Sequence, residues 1–373
     1  MTGLPMKKRQ HLVLAGAGHA HMVTMAGIHE IRRMGHDVTV VGPSDYHYYS
    51  GMGPGMLGTG YTPDDIRFAV RRTVEDQGGE FVRDSVVGVD PVLRELKLAS
   101  GGVIRYDLIS FNTGSHIAVP DIIGSRERVY TVKPIERLYQ AGQEIELLAQ
   151  QQAVTVAVVG GGPAGAEVAG NVAELLEQGD RSSRVILFAG SQLLAKFPAA
   201  VRDKSRMILE ENGVVVKEVG HLLSIDNYCL HFDSGASENA DFVILATGVH
   251  PASFFREAGL GTGPDGGLLV NSYLQSPDFP EIFGGGDCIW FDERPLEKVG
   301  VYAVRENPVL FQNLKAYLQG DELQRFEPGG GYLLIFNLGK RRGVLRKNWF
   351  QISGRLAFLV KDWIDRRFME KFR

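Results

Sequence analysis

Residues 154–178 read VTVAVVGGGPAGAEVAGNVAELLEQ. The first six are β-branched or small and almost wholly apolar, the mark of a strand buried on both faces. Gly160, Gly162 and Gly165 follow at once as GxGxxG, and from Ala166 the apolar residues recur at helical spacing until about residue 178, before a further strand at 185–188. A strand that runs into a helix through glycines so spaced is a dinucleotide turn. The first glycine permits the tight bend, the second lets a pyrophosphate approach the backbone at the helix N-terminus, and the third lets helix and strand pack closely. A glycine-rich turn without a ligand is the competing reading, and the strand and helix in their expected places favour binding.

The same grammar occurs earlier. Residues 11–15 form a compact apolar strand, 16–18 a turn, 22–34 a helical apolar rhythm and 38–41 a second strand. Here the turn is Gly16-Ala17-Gly18-His19-Ala20-His21, without the third glycine, and His21 in that position is expected to hold helix and strand further apart. His19 and His21 either donate to a phosphate or cap and pack the turn. A second echo links Tyr106-Asp107-Leu108-Ile109-Ser110-Phe111-Asn112-Thr113-Gly114 with Asp241-Phe242-Val243-Ile244-Leu245-Ala246-Thr247-Gly248, each closing its own half. Residues 120–133 read as a linker into the second half and 250–251 as the return. The expected fold is α/β: two Rossmann-like dinucleotide-binding domains, the second (120–250) inserted into the first (1–119 and 251–328), followed by a short module at 329–373 where the composition turns basic and aromatic.

Composition narrows the function. The chain has 373 residues, 44% apolar and 23% charged, enough for two or three domains with real cores, and its 46 glycines fall at strand-to-helix junctions. A net charge of −4 with no basic stripe before the C-terminus argues against nucleic acid as a partner. Cys229 and Cys288 lie far apart, without metal-ligand spacing and too few for a disulfide framework, which fits a reducing cytosol. No metal site is expected. Lys7, Lys8 and Arg9 are followed by only a short apolar strand, so the start does not read as a signal peptide, and no apolar stretch approaches the roughly 20 residues that span a bilayer. The expected location is cytoplasmic.

A dinucleotide fold usually ends its second strand on an acid that binds a ribose. Here Val41 is followed by Gly42-Pro43-Ser44, with Asp45 the nearest substitute, and Phe188 by Ala189-Gly190-Ser191. The choice between NADH and NADPH is therefore open. Near the end of the first domain, Ile282-Phe283-Gly284-Gly285-Gly286-Asp287 runs a strand into glycines and then an acid that could bind a sugar hydroxyl.

Taken in order, Gly16/Gly18, Asn112-Thr113-Gly114-Ser115, Gly160/Gly162/Gly165, Ala246-Thr247-Gly248 and Gly286-Asp287 resemble the two-dinucleotide-binding-domain flavoproteins of the pyridine nucleotide-disulfide oxidoreductase superfamily. Within it, Ser50-Gly51-Met52-Gly53-Pro54-Gly55-Met56, Lys298-Val299-Gly300-Val301-Tyr302-Ala303-Val304-Arg305 and Ile364-Asp365-Arg366-Arg367-Phe368-Met369 resemble the type II NADH dehydrogenase-like branch, including the domain found fused to selenide, water dikinase. The resemblance implies FAD in the first fold, with Asp287 on the ribitol, Val86 beside the adenine and Tyr302-Ala303 near the flavin pyrimidine edge. It implies NADH or NADPH as co-substrate in the second, with Glu167 near the nicotinamide. Pro54, Glu167 and Lys298 are the candidate catalytic residues. Glu167 has an alternative role as an acid favoured by the helix dipole, and Lys298 either stabilises charge on reduced flavin or solvates its loop.

Disulfide reductases of this superfamily carry CxxxxC beside the flavin, whereas residues 46–60 here hold no cysteine. Cys229 and Cys288 are expected to pack. Without a dithiol relay, electrons pass to a diffusible acceptor, and a quinone is the natural candidate. The type II enzymes place glutamines in the helix by the flavin where this chain has Arg305-Glu306-Asn307-Pro308. Alternatives are a flavin-bearing regulatory or partner module linked to selenium metabolism, and a sulfide:quinone reductase-like enzyme.

From Lys340 to Arg373 there are eleven Lys or Arg against three Asp or Glu, a net of +8 that leaves −12 on the rest. Trp349, Phe350, Phe358, Leu359, Trp363, Phe368 and Phe372 interleave with these charges. Such a segment suits an anionic membrane surface, which would make the protein peripheral on the inner face of the cell membrane. The other reading packs the aromatics on the body or on the mate of a homodimer.

Overall fold

The computed structural model describes residues 8–177, 179 and 182–372. Residues divide into two compact units. One gathers the chain up to His47 with Ala69–His116 and His250–Gly330; the other gathers Tyr48–Phe68, Ile117–Val249 and the chain from Gly331.

The first unit is built on a five-stranded parallel sheet in the order Ile282–Gly284, Leu108–Phe111, His11–Ala15, Asp37–Gly42, Glu80–Arg83. Its central strand leaves Leu12, Val13, Leu14 and Ala15 with no solvent exposure, which is why it reads as an unbroken apolar run. The single helix expected over 22–34 is two, Met22–Ala26 and Ile28–Arg33. They break at Gly27, where a side chain would overlap the ring of Phe311 on the long helix Gly300–Gln319. The apolar rhythm fixed the buried face, and a packing partner 284 positions away leaves room only for glycine at the break. A three-stranded antiparallel meander, Val86–Asp90, Glu95–Leu98 and Val103–Arg105, completes this unit's sheets of three or more strands.

The second unit repeats the parallel sheet in the order Val129–Thr131, Phe242–Leu245, Thr155–Val159, Arg184–Phe188, Val214–Lys217. Val156, Ala157 and Val158 on its central strand are again fully buried. The stretch 120–133, expected to be a linker, carries two short strands: Asp121–Ile123 pairs with Leu222–Asp226, and Val129–Thr131 is the edge of the five-stranded sheet. Three-residue strands are too short to show a period, so the sequence did not reveal them.

The C-terminal segment folds as an antiparallel sheet, Leu334–Asn337, Gly343–Lys347 and Phe350–Gly354, followed by the helix Arg355–Lys371. It is seated against the helix Pro163–Leu176 through two glycines. A side chain on Gly170 would collide with the carbonyl of Leu338, and one on Gly339 with the carbonyl of Gly170. Alanine at 170 would improve helix propensity by about 1 kcal/mol, yet it would force backbone apart in a packed site, a change that typically costs about 1–3 kcal/mol. The collision is expected to win: Gly170→Ala should lower the thermal midpoint of the folded protein, and an unchanged or raised midpoint would show that this seat is loose.

Candidate functional site

In the first unit the chain leaves the strand His11–Ala15 through Gly16, whose φ of +97° and closeness to the Asn112 carbonyl exclude a side chain. Asn112 then ties three segments together. Its Oδ1 accepts from the Ala20 amide at 3.1 Å, its Nδ2 donates to the Gly285 carbonyl at 2.7 Å, and side chains on Gly18 or Gly286 would both collide with it. Ser115 Oγ donates to Asp287 Oδ2 at 2.8 Å. Gly16, Gly18, Ala20, Asn112, Thr113, Gly114, Gly286 and Asp287 are thus gathered at the carboxyl ends of the parallel strands, where an open α/β sheet binds its ligand.

The two histidines of the turn separate. The His21 ring spans from the Gly16 carbonyl (Nδ1, 2.6 Å) to Ser110 Oγ (Nε2, 2.8 Å), and burial pulls its pKa down to about 4. It is neutral, with Nδ1–H donating to the carbonyl and Nε2 accepting from the hydroxyl. It packs the turn, filling the space between strand and helix that a third glycine would close. His19 Nδ1 lies 2.9 Å from His47 Nε2, the rings edge to face. Val86 begins the meander, two residues after Asp84, whose amide donates to the Gly42 carbonyl at 3.0 Å. Asp45 is held by Arg71 at 2.7 Å and Arg83 at 3.7 Å. Lys298 is neither exposed nor free: its ammonium donates to the Ile289 carbonyl and pairs with Asp265 at 2.9 Å. Together with Gly286, Asp287, Tyr302 and Glu306 it lines a cavity of about 10 Å³, and Ala303 is buried behind it. Cys288 is buried with its Sγ 3.4 Å from the Phe111 and Gly285 carbonyls, and burial pushes its thiol up to about 11. It packs, and Cys229 is likewise a free thiol on a strand of the second unit.

The second unit repeats the turn more strictly. A side chain on Gly160, at φ +140°, would strike the Ala246 carbonyl, and one on Gly165 would strike the carbonyl of Gly160. Around Gly162, the N-cap of the helix Pro163–Leu176, and around Gly248, nothing lies within 4 Å of a would-be Cβ. Thr247 Oγ1 is buried there without a hydrogen-bond partner. Two glycines close the backbone while the middle one opens onto space beside unsatisfied helix amides, so the residues fit a dinucleotide pyrophosphate. Near the end of Arg184–Phe188, the second strand of this dinucleotide fold, Glu218 is committed to the Leu193 amide at 2.8 Å and to Arg206.

Glu167, one turn into this helix, retains some contact with solvent as a residue, but its carboxyl lies deep among protein atoms. Oε1 accepts from the Asn337 amide at 2.8 Å. Burial pushes its pKa up to about 7, with Lys361 and the Asn337 amide pulling down and Asp365 pushing up. Lys361, buried, donates to Asp365 Oδ2 at 2.6 Å and to the Gly51 carbonyl at 2.5 Å, while Tyr49 donates to Asp365 Oδ1 at 3.1 Å. Burial acts to lower the Lys361 pKa, but the carboxylates of Asp365 and Glu167 outweigh it, so the ammonium stays charged. Pro54 is buried at the start of the short helix Gly53–Leu57, three residues beyond the carbonyl that Lys361 holds. Lys361 and Tyr49 were not singled out in the sequence, and Asp365 entered only as part of the motif Ile364–Met369. The available signal was a Lys and an Asp at i and i+4 in register with Ala357, Phe358 and Met369 on the buried face.

The rest of the C-terminal segment divides its charges and aromatics. Lys340 pairs with Glu177, Arg342 with Glu211 at 2.5 Å and Arg366 with Asp362 at 3.0 Å. Phe358 is buried, whereas Trp349 is 92% and Trp363 61% exposed, and Phe350, Leu356, Leu359 and Val360 are open to solvent, so the aromatics are split between the two readings. Among the described residues no helix is long and apolar enough to cross a membrane, and no cluster of three His, Cys, Asp or Glu could hold a metal.

The family model described as pyridine nucleotide-disulphide oxidoreductase matches residues 10–311. Ferroptosis suppressor protein 1 of Xenopus tropicalis is 26% identical over 303 residues, 76% of this chain and 78% of that protein. A type II NADH:quinone oxidoreductase of Staphylococcus aureus (strain NCTC 8325 / PS 47) is 21% identical over 394 residues, 96% and 95% of the two chains. The structure of NDH2 from Plasmodium falciparum in complex with NADH superposes with a TM-score of 0.79 at 13% identity, covering 95% of this chain and 97% of that one. The sulfide:quinone oxidoreductase of Aquifex aeolicus does so at 0.77 and 15%, covering 98% and 91%. At these identities the two structures speak for the fold alone. Proteins of this family bind FAD and a pyridine nucleotide. With paired glycine turns, each at the carboxyl end of its own parallel sheet, and a family match over most of its length, this chain belongs to the pyridine nucleotide-disulphide oxidoreductases.

Proposed function

We propose that the chain is an NAD(P)H:quinone oxidoreductase, with FAD at the Gly16–Gly18 turn and the pyridine nucleotide at the Gly160–Gly165 turn. The observation that carries this reading is the open space at Gly162 and Gly248 beside the partnerless Thr247 hydroxyl, room for a nucleotide whose Thr247–Gly248 part is repeated in the first unit by Thr113 and Gly114. The type II NADH:quinone oxidoreductase relative supports the quinone. FAD, when bound, supplies the redox chemistry that couples a two-electron donor to the acceptor. The chain's residues bind, orient and manage charge. Asp287 holds the ribityl chain, the helix amides at Gly162 meet the pyrophosphate, and Glu167 handles a proton.

In the net reaction NAD(P)H and one proton convert quinone to quinol. A carboxyl whose pKa sits at about 7 can hold or release that proton at working pH. Because Oε1 of Glu167 already accepts from the Asn337 amide, the proton rests on Oε2. Lys361, fixed between Asp365 and Gly51, keeps a positive charge near enough to favour the anion after release. Lys298, bound to Asp265, is a framework residue that also places positive charge near Asp287 and Glu306.

The exposed Trp349, Leu356, Leu359 and Trp363, with Arg355 and Arg367 beside them, form an apolar and basic face suited to an anionic lipid surface, where a quinone is dissolved.

Three outcomes are expected. Gly162→Val should abolish flavin reduction by NADH in stopped flow while FAD is retained, since a Cβ there has no protein atom within 4 Å and the side chain extends into the space the phosphate would take; an unchanged rate would remove the nucleotide from this turn. For quinone reduction by the reduced protein, the rate should fall as pH rises through about 7. Glu167→Gln should flatten that profile and slow the step ~100-fold, and a retained decline would clear Glu167 of the role. Cosedimentation with anionic liposomes should persist in part at high salt, because apolar burial is not screened, and Trp349→Ser with Trp363→Ser should make it fully salt-sensitive; binding that salt abolishes in both proteins would reduce the contact to charge alone.

A further inference from the structure

Glu306 is the most deeply buried acid of the first unit, 1% exposed, on the helix Gly300–Gln319. Its Oε2 accepts from the Gly286 amide at 2.5 Å, and a side chain on Gly285 would lie 3.2 Å from the same oxygen. The next residue, Asn307, accepts from the Val23 amide at 2.9 Å, in the helix that follows the Gly16–Gly18 turn. Consecutive side chains of one helix therefore hold both turns of the cofactor fold, one behind the pyrophosphate end and one behind Asp287. Both side chains are buried, in the segment where the type II enzymes that the sequence resembles place glutamines by the flavin.

An amide or a hydroxyl would satisfy the Gly286 N–H at smaller desolvation cost than a carboxyl. The groups facing Glu306 are Asp287, which carries like charge, and Lys298, itself paired with Asp265. The adjoining cavity of about 10 Å³ has room for about one water. Burial, opposed by the Gly286 amide, aided by Asp287 and opposed by Lys298, pushes the Glu306 pKa up to about 7.

We propose that Glu306 is a positioning residue for the flavin cofactor: its carboxyl fixes the turn that presents Asp287, and loss of its proton loosens the cofactor's hold. The inference rests on the reading that the first fold binds FAD. The direction follows from linkage. FAD brings a doubly negative pyrophosphate, which favours the neutral acid, so binding retains a proton that the free protein releases as the pH rises. Affinity is then full below the pKa of the free protein and declines above it, by at most about tenfold per pH unit for one proton.

The test is the FAD dissociation constant from flavin fluorescence at pH 6, 7 and 8. The wild-type constant should rise about three- to tenfold between pH 6 and 8. Glu306→Gln, which keeps an acceptor for Gly286 but cannot ionise, should bind within about twofold of the wild-type pH 6 value throughout. Glu306→Ala should bind about tenfold more weakly at every pH, because a buried amide loses its partner. Lys298→Met, removing the cation that favours the ionised form, should move the decline to higher pH, and it serves where the Glu306 variants do not fold. A wild-type slope preserved in Glu306→Gln, or a decline unmoved in Lys298→Met, would overturn the inference while leaving FAD binding intact. Wild-type protein that takes up no FAD at any pH would instead overturn the functional reading on which it rests.

Discussion

The architecture depends on a backbone approach that a single methyl group would prevent. At Gly16 the turn lies against the Asn112 carbonyl, and at Gly160 against the Ala246 carbonyl, each at the carboxyl end of the neighbouring parallel strand. Positive φ and lack of space both demand glycine there. Because the turn lies so close to the adjacent strand, the first helical turn points its amides over the sheet edge. The candidate binding residues lie around that contact: Asn112 and Asp287 in one unit, Thr247 and Gly248 in the other.

Those contacts join residues 96 and 86 positions apart, yet each leaves a local mark, and so they were legible in sequence. GxGxxG in 160–165, the strand before it and the echo between 106–114 and 241–248 are each patterns within a few adjacent residues. Features decided by distant partners were not legible. Nothing local tells that Gly27 packs against Phe311, nor that 120–133 holds two strands, since each is completed by pairing 100 or more residues away. His21 was ambiguous for the same reason, its role settled by Ser110. Lys298 and Glu167 were visible as candidates, but their partners Asp265 and Asn337 were not. The tail's net charge of +8 suggested a single basic surface, whereas Lys340 and Arg342 are paired with Glu177 and Glu211, 163 and 131 residues earlier, and Lys361 is buried.

The segments 48–68 and 331–373 show how such distant pairings join pieces of chain. Lys361 reaches the Gly51 carbonyl, Tyr49 reaches Asp365, and Tyr61 reaches Asp362 at 2.7 Å. A buried ion pair of this kind contributes little net stability, because desolvation offsets attraction. Removing one partner, however, leaves a charge buried alone. The cluster therefore specifies one seating of the C-terminal helix more strongly than it stabilises it, and it brings the 48–68 segment to a defined place relative to Glu167.

Each nucleotide fold also carries one enclosed glutamate whose pKa is pushed up to about 7, and the surroundings match. Glu167 is held by the Asn337 amide, faced by Asp365 and by Lys361; Glu306 is held by the Gly286 amide, faced by Asp287 and by Lys298. In both cases burial raises the acid, one aspartate raises it further, and one lysine with one amide stops the rise near neutrality. A carboxyl with a lower pKa would add a permanent negative charge to a fold built to take an anionic dinucleotide. One with a much higher pKa would never ionise and could be replaced by an amide. Poised between these limits, each glutamate can adjust its charge by one proton when the local charge changes, at small free-energy cost in either state. The common design differs in its consequence: Glu167 lies on the glycine-turn helix itself, where a proton can be used in chemistry, whereas Glu306 lies behind a turn, where its proton acts on cofactor binding.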